Sequence, residues 1–420
     1  MKILYIVNNV MPKLAEKTGL PSSASGSWLE DISYNLSNRS DVTLAIACVG
    51  GREYRKVEIE NITYYLLPGN GKNMLFYTKK YEKLWKLIND DFKPDIVHLY
   101  GTEYSHGLSF IRANPKVKSI VSIQGLISKI KDVMFDELPK CFDFKYATLK
   151  ERIKCNGIFA RSILYKMNSK YEREIIERAD YISTVNSWDY SFVKEVKPNA
   201  KVFPLQYNLR EGFYSANKWD VEKINRYQIF CAPGGDPIKG LHILLKAVAL
   251  VKKNYPEIKV IVPGFATVNG EIVANSGYKK YIKKLVNKLG VKDNILFKDR
   301  LSEKEMIENM LNSHLLVVPS AIEGTSLVLR EGMYLGIPSI ASFRGGMADF
   351  IADKVDGYLY DYKEYAYLAL RIEEIFANDE GAKEISLKAI AKASSAHDRE
   401  KNVRENIETY FKIFEESKDE

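Results

Sequence analysis

Short runs of continuous Ile, Val and Leu alternate along the chain with stretches whose apolar residues recur every three or four positions. The first half reads "KILYIVN", then the amphipathic "SWLEDISYNLSN", then "VTLAIACVG", and later "DIVHLYG", "SIVSIQG", "YISTVN" and "KVFPLQYN". Strands that are apolar at consecutive positions are buried on both faces, and the helical segments between them supply the covers. The pattern predicts a parallel sheet in a doubly wound, Rossmann-like α/β domain. Between Gln206 and Arg226 the strand-like runs stop and polar, turn-prone residues dominate. The alternation restarts at "QIFCAPGGDPIKGLHILLKAVALV" and continues through "IKVIVPG", "NILFKD", "HLLVVPS" and "IPSIAS", which predicts a second domain of the same class. At the end, "NVRENIETYFKIFEE" sets Val403, Ile407, Tyr410, Phe411 and Phe414 on one face of a closing helix. The expected division is a first domain at 1–205, a linker at 206–226, a second domain at 227–395, and a helix at 396–420 packing back towards the first.

A length of 420 residues suits two cores, and 46% hydrophobic with 28% charged residues is ordinary globular composition. No apolar run approaches 18 residues, and "MKILYIVNNVMPKL" lacks the features of a signal peptide, so a cytoplasmic protein is expected. Cys48, Cys141, Cys155 and Cys231 are too widely spaced for a zinc site or a disulfide framework. The histidines His98, His106, His242, His314 and His397 form no close ligand pair and there is no Asp-x-Asp, so no bound metal is expected. His98 ends a buried strand and reads as a structural, hydrogen-bonded residue.

A net charge of +8 attracts polyanions, but no nucleic-acid motif accompanies it. The basic residues concentrate in 145–173, where Lys145, Lys150, Arg152, Lys154, Arg161, Lys166, Lys170 and Arg173 interleave with Phe159, Ile163, Leu164 and Tyr165. Such a stretch suits an anionic membrane surface, and equally a solvated helix packed on its own domain.

Two carboxylates stand out in "PSAIEGTSLVLREGMYLGIP". Here "SHLLVVPS" is a buried strand and "TSLVLREGMYLG" a helix, started by Thr325 or Ser326 as N-cap and stopped by Gly336. A strand that ends in a loop and opens a helix presents unpaired N–H groups, an anion site at the carboxyl edge of a parallel sheet. Glu323 falls in the loop and Glu331 about two turns into the helix, positions from which they reach the front and rear of one phosphate-containing ligand. Earlier, "CAPGGDPIKGLH" places Gly234 and Gly235 in a strand-to-helix loop that lets backbone approach a ligand, with Lys239 as a nearby cation.

The stretch "PSAIEGTSLVLREGMYLGIPSIASFRGG" resembles the donor-binding signature of the family-4 retaining glycosyltransferases, and "PDIVHLYG", "ERADYISTVN", "DPIKGLHILLKAV", "KVIVPG" and "DNILFKDRLSEKEM" follow in that family's order. The resemblance covers nearly the whole chain. It implies a GT-B fold, two Rossmann-like domains facing across a cleft, with the acceptor bound by the first domain and a nucleotide sugar by the second. By the same likeness Glu323 touches the donor-sugar hydroxyls and Glu331 the ribose, and the backbone at Gly324, Thr325, Ser326 and Leu327 holds the distal phosphate. Gly26, with Ser25 beside it, lies near the donor phosphates. Lys239 matches the family's phosphate-binding Lys, but the Arg expected five residues earlier falls on Gly234, which leaves Arg300, Arg330 or Arg344 as replacements. Gln124 stands where many members have His, so it positions substrate without titrating.

The implied activity is transfer of a hexose-type sugar, with retention and without a metal or other cofactor, from a nucleotide diphosphate sugar to a glycan or lipid-linked glycan. UDP is favoured over GDP. Cell-surface polysaccharide synthesis and a peripheral place on the inner face of the membrane go with it. A non-catalytic sugar-nucleotide-binding subunit and a nucleotide-sugar epimerase are the alternatives.

Overall fold

Five consecutive buried residues, Ile3 to Val7, make strand β1 (Lys2–Val7) the middle of an eight-stranded sheet. The computed structural model describes residues 1–20, 29–70, 76–232, 234–268 and 271–419. After β1 come β2 (Thr43–Gly51), β3 (Arg55–Ile59), β4 (Ile62–Pro68), β5 (Ile96–Tyr100), β6 (Lys118–Ser122), β7 (Tyr181–Ser183) and β8 (Lys201–Phe203). Their order is β3-β4-β2-β1-β5-β6-β7-β8, parallel except where β3 runs antiparallel to β4. Leu4 and Ile6 face one core with Trp85 and Phe110, while Ile3, Tyr5 and Val7 face another with Leu36. The terminal helix Arg399–Asp419 sends Tyr410 and Ile413 into that second core. His98 is fully buried, with Nε2 2.7 Å from Ser122 Oγ and Nδ1 2.5 Å from Tyr410 Oη. Burial pushes its pKa down to about 3, so it is a neutral structural residue.

A second sheet contains β9 (Asn225–Cys231), β10 (Lys259–Val262), β13 (Ile295–Phe297), β14 (Ser313–Val318), β15 (Ser339–Ser342) and β16 (Tyr358–Tyr360), with a small hairpin of β11 (Thr267–Val268) and β12 (Glu271–Ile272) beside it in sequence. It is parallel throughout, in the order β13-β10-β9-β14-β15-β16. From β9 the chain builds outward through β10 and β13, then returns to the other side of β9 at β14. That reversal leaves a switch point where the loops following β9 and β14 diverge, the place where open parallel sheets bind ligands.

These sheets belong to two units, Met1–Lys129 with Leu164–Asn208 and His397–Glu420, and Ile130–Ile163 with Leu209–Ala396. The expected first domain at 1–205 therefore loses residues 130–163 to the second unit. The cause is aromatic and polar docking: Phe142 and Tyr146 meet the edge of Tyr281 at 5.5 and 5.1 Å, and Gly277 N donates to Glu151 Oε2 at 2.8 Å. Most of the expected linker at 206–226 is packed structure rather than a tether. Phe213, Trp219 and Val221 are buried, the helix Glu211–Ser215 forms, and Trp219 Nε1 donates to Ser313 O at 2.8 Å. The stretch 145–173 is not one amphipathic helix either. It is divided among Phe142–Tyr146, Leu149–Lys154 and Ile158–Arg178, the middle one opened by a Thr148–Glu151 capping box and closed by Cys155 in the left-handed conformation.

Candidate functional site

At the switch point of the second sheet, Ala232 N donates to Val317 O at 3.0 Å, and beyond the strand ends Ala321 N donates to Ile238 O at 2.7 Å. The two loops are thereby tied to each other. Asp236 caps the short turn Pro237–Lys239 by accepting from Ile238 N, and Gly240 follows at φ +68°, where a Cβ would fall 1.7 Å from Pro319 O. Only glycine permits this approach. Opposite, Gly345 at φ +69° lies so close that a Cβ would stand 2.1 Å from Glu323 O, the oxygen that accepts from Gly346 N at 2.8 Å. The "FRGG" turn thus fixes the backbone that carries Glu323.

The geometry joins residues 84 positions apart: Lys239 Nζ lies 2.5 Å from Glu323 Oε1, which also accepts from Ser320 Oγ at 2.8 Å. Among the described residues nothing donates to Oε2 of Glu323, so one carboxylate oxygen is available to hydroxyls. Burial pulls the Lys239 ammonium down, but the Glu323 carboxylate outweighs it and the pKa is raised overall. Lys239 is a permanent cation at neutral pH.

Ser326 is the N-cap of the helix Leu327–Leu335, accepting from Leu329 N at 3.4 Å, and Gly336 ends it in the left-handed conformation. Gly324, Thr325 and Leu327 therefore sit at the positive end of this helix. Inside it, Glu331 is 1% exposed and bound bidentately by Arg210, with Nε to Oε1 at 2.6 Å and Nη2 to Oε2 at 2.8 Å. Burial pushes the Glu331 carboxyl up, while Arg210 opposes the shift; the same pair raises the pKa of Arg210. Arg210 occupies one lone pair on each oxygen and leaves the other for a second ligand.

Among the proposed replacement cations, Arg330 is buried 5.4 Å from the Phe350 ring centroid, Arg344 lies 3.7 Å from Asp361, and Arg300 is exposed beyond β13. A guanidinium from the basic stretch 145–173, absent from those three candidates, contacts the loop that carries Gly234. Arg161, on the helix Ile158–Arg178, holds Asp236 through Nη1 at 2.5 Å and Nη2 at 3.1 Å, two residues after Gly234. Ser25 and Gly26 lie outside the described residues.

The first unit has its own switch point, between β1 and β5. Asn8 Nδ2 donates to Glu103 Oε2 at 3.3 Å, and a Cβ on Gly101 would fall 2.2 Å from Glu103 Oε2 and 3.2 Å from Gln124 Oε1. Gln124 is therefore gathered with Asn8 and Glu103. Burial, reinforced by the charge of Glu172, pushes Glu103 up to about 7. Sequence reasoning missed Glu103; the available signal was a carboxylate just past a buried strand, in "HLYGTE".

Among the described residues no group of three or more His, Cys, Asp or Glu is placed to hold a metal ion, and no helix is long and apolar enough to cross a membrane.

Residues 217–392 match the family model of the glycosyl transferases group 1. A D-inositol 3-phosphate glycosyltransferase of Streptomyces avermitilis is 29% identical over 34% of this chain and 30% of its own length. A glycosyltransferase of Bacillus subtilis with no assigned substrate is 23% identical over 59% of this chain and 65% of its own length. The aligned regions thus span about a third to two thirds of those relatives. Among solved structures, sucrose-phosphate synthase from Thermosynechococcus elongatus superposes with a TM-score of 0.72 at 14% identity, over 99% of each chain. Anabaena HepE in complex with UDP-glucose superposes with 0.69 at 16% identity, over 98% of this chain and 100% of its own. The chain has the GT-B fold, and its segment 217–392 matches the model of the group 1 glycosyl transferases.

Proposed function

We propose that this chain transfers a hexose-type sugar from a UDP-sugar to a glycan or lipid-linked glycan acceptor, with retention at the anomeric carbon and without a metal ion. The observation that carries the reading is the Lys239–Glu323 pair at the switch point of the second sheet, beside the N-terminus of Leu327–Leu335. Glu323 accepts from the donor-sugar hydroxyls through Oε2, and Glu331 accepts from the vicinal ribose hydroxyls through the lone pairs that Arg210 leaves. Lys239, Arg161 and the backbone N–H groups at 324–327 stabilise the diphosphate, in place of the Arg that Gly234 lacks. The anomeric C–O bond to phosphate breaks, the acceptor oxygen bonds to the same carbon, and the acceptor proton passes to the departing phosphate. No metal is required in this scheme, because cationic side chains and backbone N–H groups meet the developing charge. Synthesis of a cell-surface polysaccharide, at the cytoplasmic face of the membrane, is the setting that this chemistry and the basic stretch 145–173 suit.

The decisive experiment is thermal denaturation with UDP-, GDP- and ADP-sugars, followed by NMR of the anomeric proton of any product. A UDP-sugar is expected to raise the melting temperature most, since ligand that binds only the folded state stabilises it. No shift with any nucleotide, or a product of inverted configuration, defeats the reading.

Glu103, with Asn8 and Gln124, is assigned to the acceptor hydroxyl. Because folded Glu103 titrates at about 7 rather than 4.5, the folded state holds its proton more tightly than the unfolded chain. The group costs stability as pH rises from the lower value to the higher and costs nothing below both. Glu103→Gln is therefore expected to stabilise the protein at pH 8 by roughly 1–2 kcal/mol, a figure reduced for partial solvent access, and to have no effect at pH 4. Equal effects on the melting temperature at both pH values refute the assignment of a raised pKa.

A further inference from the structure

The short helices of 142–154 carry apolar side chains on the outside of a firmly anchored scaffold. Phe144 is 79% exposed, Leu149 and Ile153 each 74%, and Phe159 61%. Leu149 and Ile153, four residues apart on Leu149–Lys154, share a face. These helices are not loosely attached. Glu151 accepts from Thr148 N and Gly277 N at 2.8 Å each, and Asp143 Oδ2 accepts from Phe159 N at 2.6 Å. Both nearby acids are thus engaged internally. Lys145, Lys150, Arg152 and Lys154 are exposed beside the apolar residues, so the outward charge is positive. Between the helices lies a cavity of about 740 Å³ lined by Phe135, Leu138, Phe142, Phe144, Ala147 and Phe159, among others.

We propose that this surface, residues 142–159 of the second unit, docks on an anionic phospholipid bilayer. Phe144, Leu149, Ile153 and Phe159 enter the boundary between headgroups and acyl chains, the four cations meet lipid phosphates, and the cavity receives part of an acyl chain. An uncovered apolar patch rimmed by charge marks an interaction surface, and the sign of the charge selects the partner. A second copy of the chain fits poorly, because a twofold interface sets a patch against itself and brings its lysines together. The proposal rests on the membrane-face location in the functional reading and is independent of sugar transfer. It also narrows the basic stretch: of 145–173, the first half carries the contact.

The test is sedimentation of the full chain with phosphatidylcholine vesicles, with and without phosphatidylglycerol, at low and high salt. Binding is expected only with phosphatidylglycerol, weakened by salt, and at least about tenfold weaker in Leu149→Glu/Ile153→Glu and in Lys150→Glu/Lys154→Glu. A polarity-sensitive maleimide dye provides a second readout. Cys141 and Cys155 are exposed within the surface, whereas Cys48 and Cys231 are buried, with thiol pKa values raised by burial. Its emission should shift to the blue on anionic vesicles alone. All these substitutions lie on exposed positions, so unchanged melting temperatures verify the fold of each variant. If the parent protein binds no anionic vesicle at low salt, the proposal and the membrane location fall together. If it binds and both variants bind equally well, this surface is wrong while the location stands. Concentration-dependent dimerisation without vesicle binding also overturns the proposal, in favour of a second copy.

Discussion

Lys239→Ala is expected to lower kcat for sugar transfer by about 10²–10³-fold, with a smaller change in donor KM. The ammonium sits 2.5 Å from Glu323 in the ground state, so much of its charge is already matched before reaction. As the bond to the anomeric carbon breaks, negative charge grows on the leaving phosphate and the lysine becomes more valuable there. That difference between ground and transition state is what sets kcat. Glu323→Gln is expected to fall in the same range, because it loses an acceptor for the sugar hydroxyls and releases Lys239 from its position. The two sites touch, so the double variant should lose much less than the sum of the two single losses. Steady-state kinetics on the four proteins, with UDP binding measured alongside, supplies the check. Wild-type kcat in Lys239→Ala, with weaker UDP binding alone, would reduce the lysine to ground-state binding.

Arg210→Ala carries the largest expected effect on stability. Removing it leaves the Glu331 carboxylate buried without its bidentate partner, a loss of about 3–5 kcal/mol for pairs of this kind. The pH dependence distinguishes this from simple loss of packing. Burial raises the Glu331 pKa and Arg210 opposes the rise, so removing the arginine raises it further. Raised above its unfolded value, the carboxyl costs stability as pH climbs through that value towards the folded one. The defect should be largest at pH 8 and shrink towards pH 4, where Glu331 takes up a proton in the folded protein. Urea denaturation of both proteins across that range is the measurement, and a defect that does not vary with pH contradicts the buried-charge account. Arg210→Lys should recover only part, since an ammonium cannot make the paired contact.

Much of the fold was legible because its strands are parallel and buried on both faces. "KILYIV" and "SHLLVV" are continuous apolar runs, and a parallel strand in the middle of a doubly wound sheet has no polar face to interrupt them. β3 escaped attention for the opposite reason: "RKVEI" is an edge strand with mostly exposed residues, and its polar alternation resembles a loop. The loop after β9 and the helix after β14 were legible from glycine placement and capping residues, which act over three or four positions. Their meeting was not, because the hydrogen bond from Ala321 to Ile238 depends on β9 and β14 becoming neighbours after an excursion through β10 and β13.

Local periodicity also cannot report where a segment packs. Residues 130–163 follow the strands of the first unit in sequence, yet their aromatic rings find Tyr281 on the second.

From residue order came the two Rossmann-like sheets, the glycine loop, the capped helix and the pair Glu323 and Glu331, all of them consequences of short-range rules. Contacts between residues 75 to 121 positions apart came from folding itself: Arg161 on Asp236, Lys239 on Glu323 and Arg210 on Glu331. Each joins opposite charges brought together by strand order and helix docking. A chain of amino acids specifies such contacts only through the packing of its whole core, which is why no stretch of letters around Gly234 could reveal that Arg161 binds Asp236 two residues on.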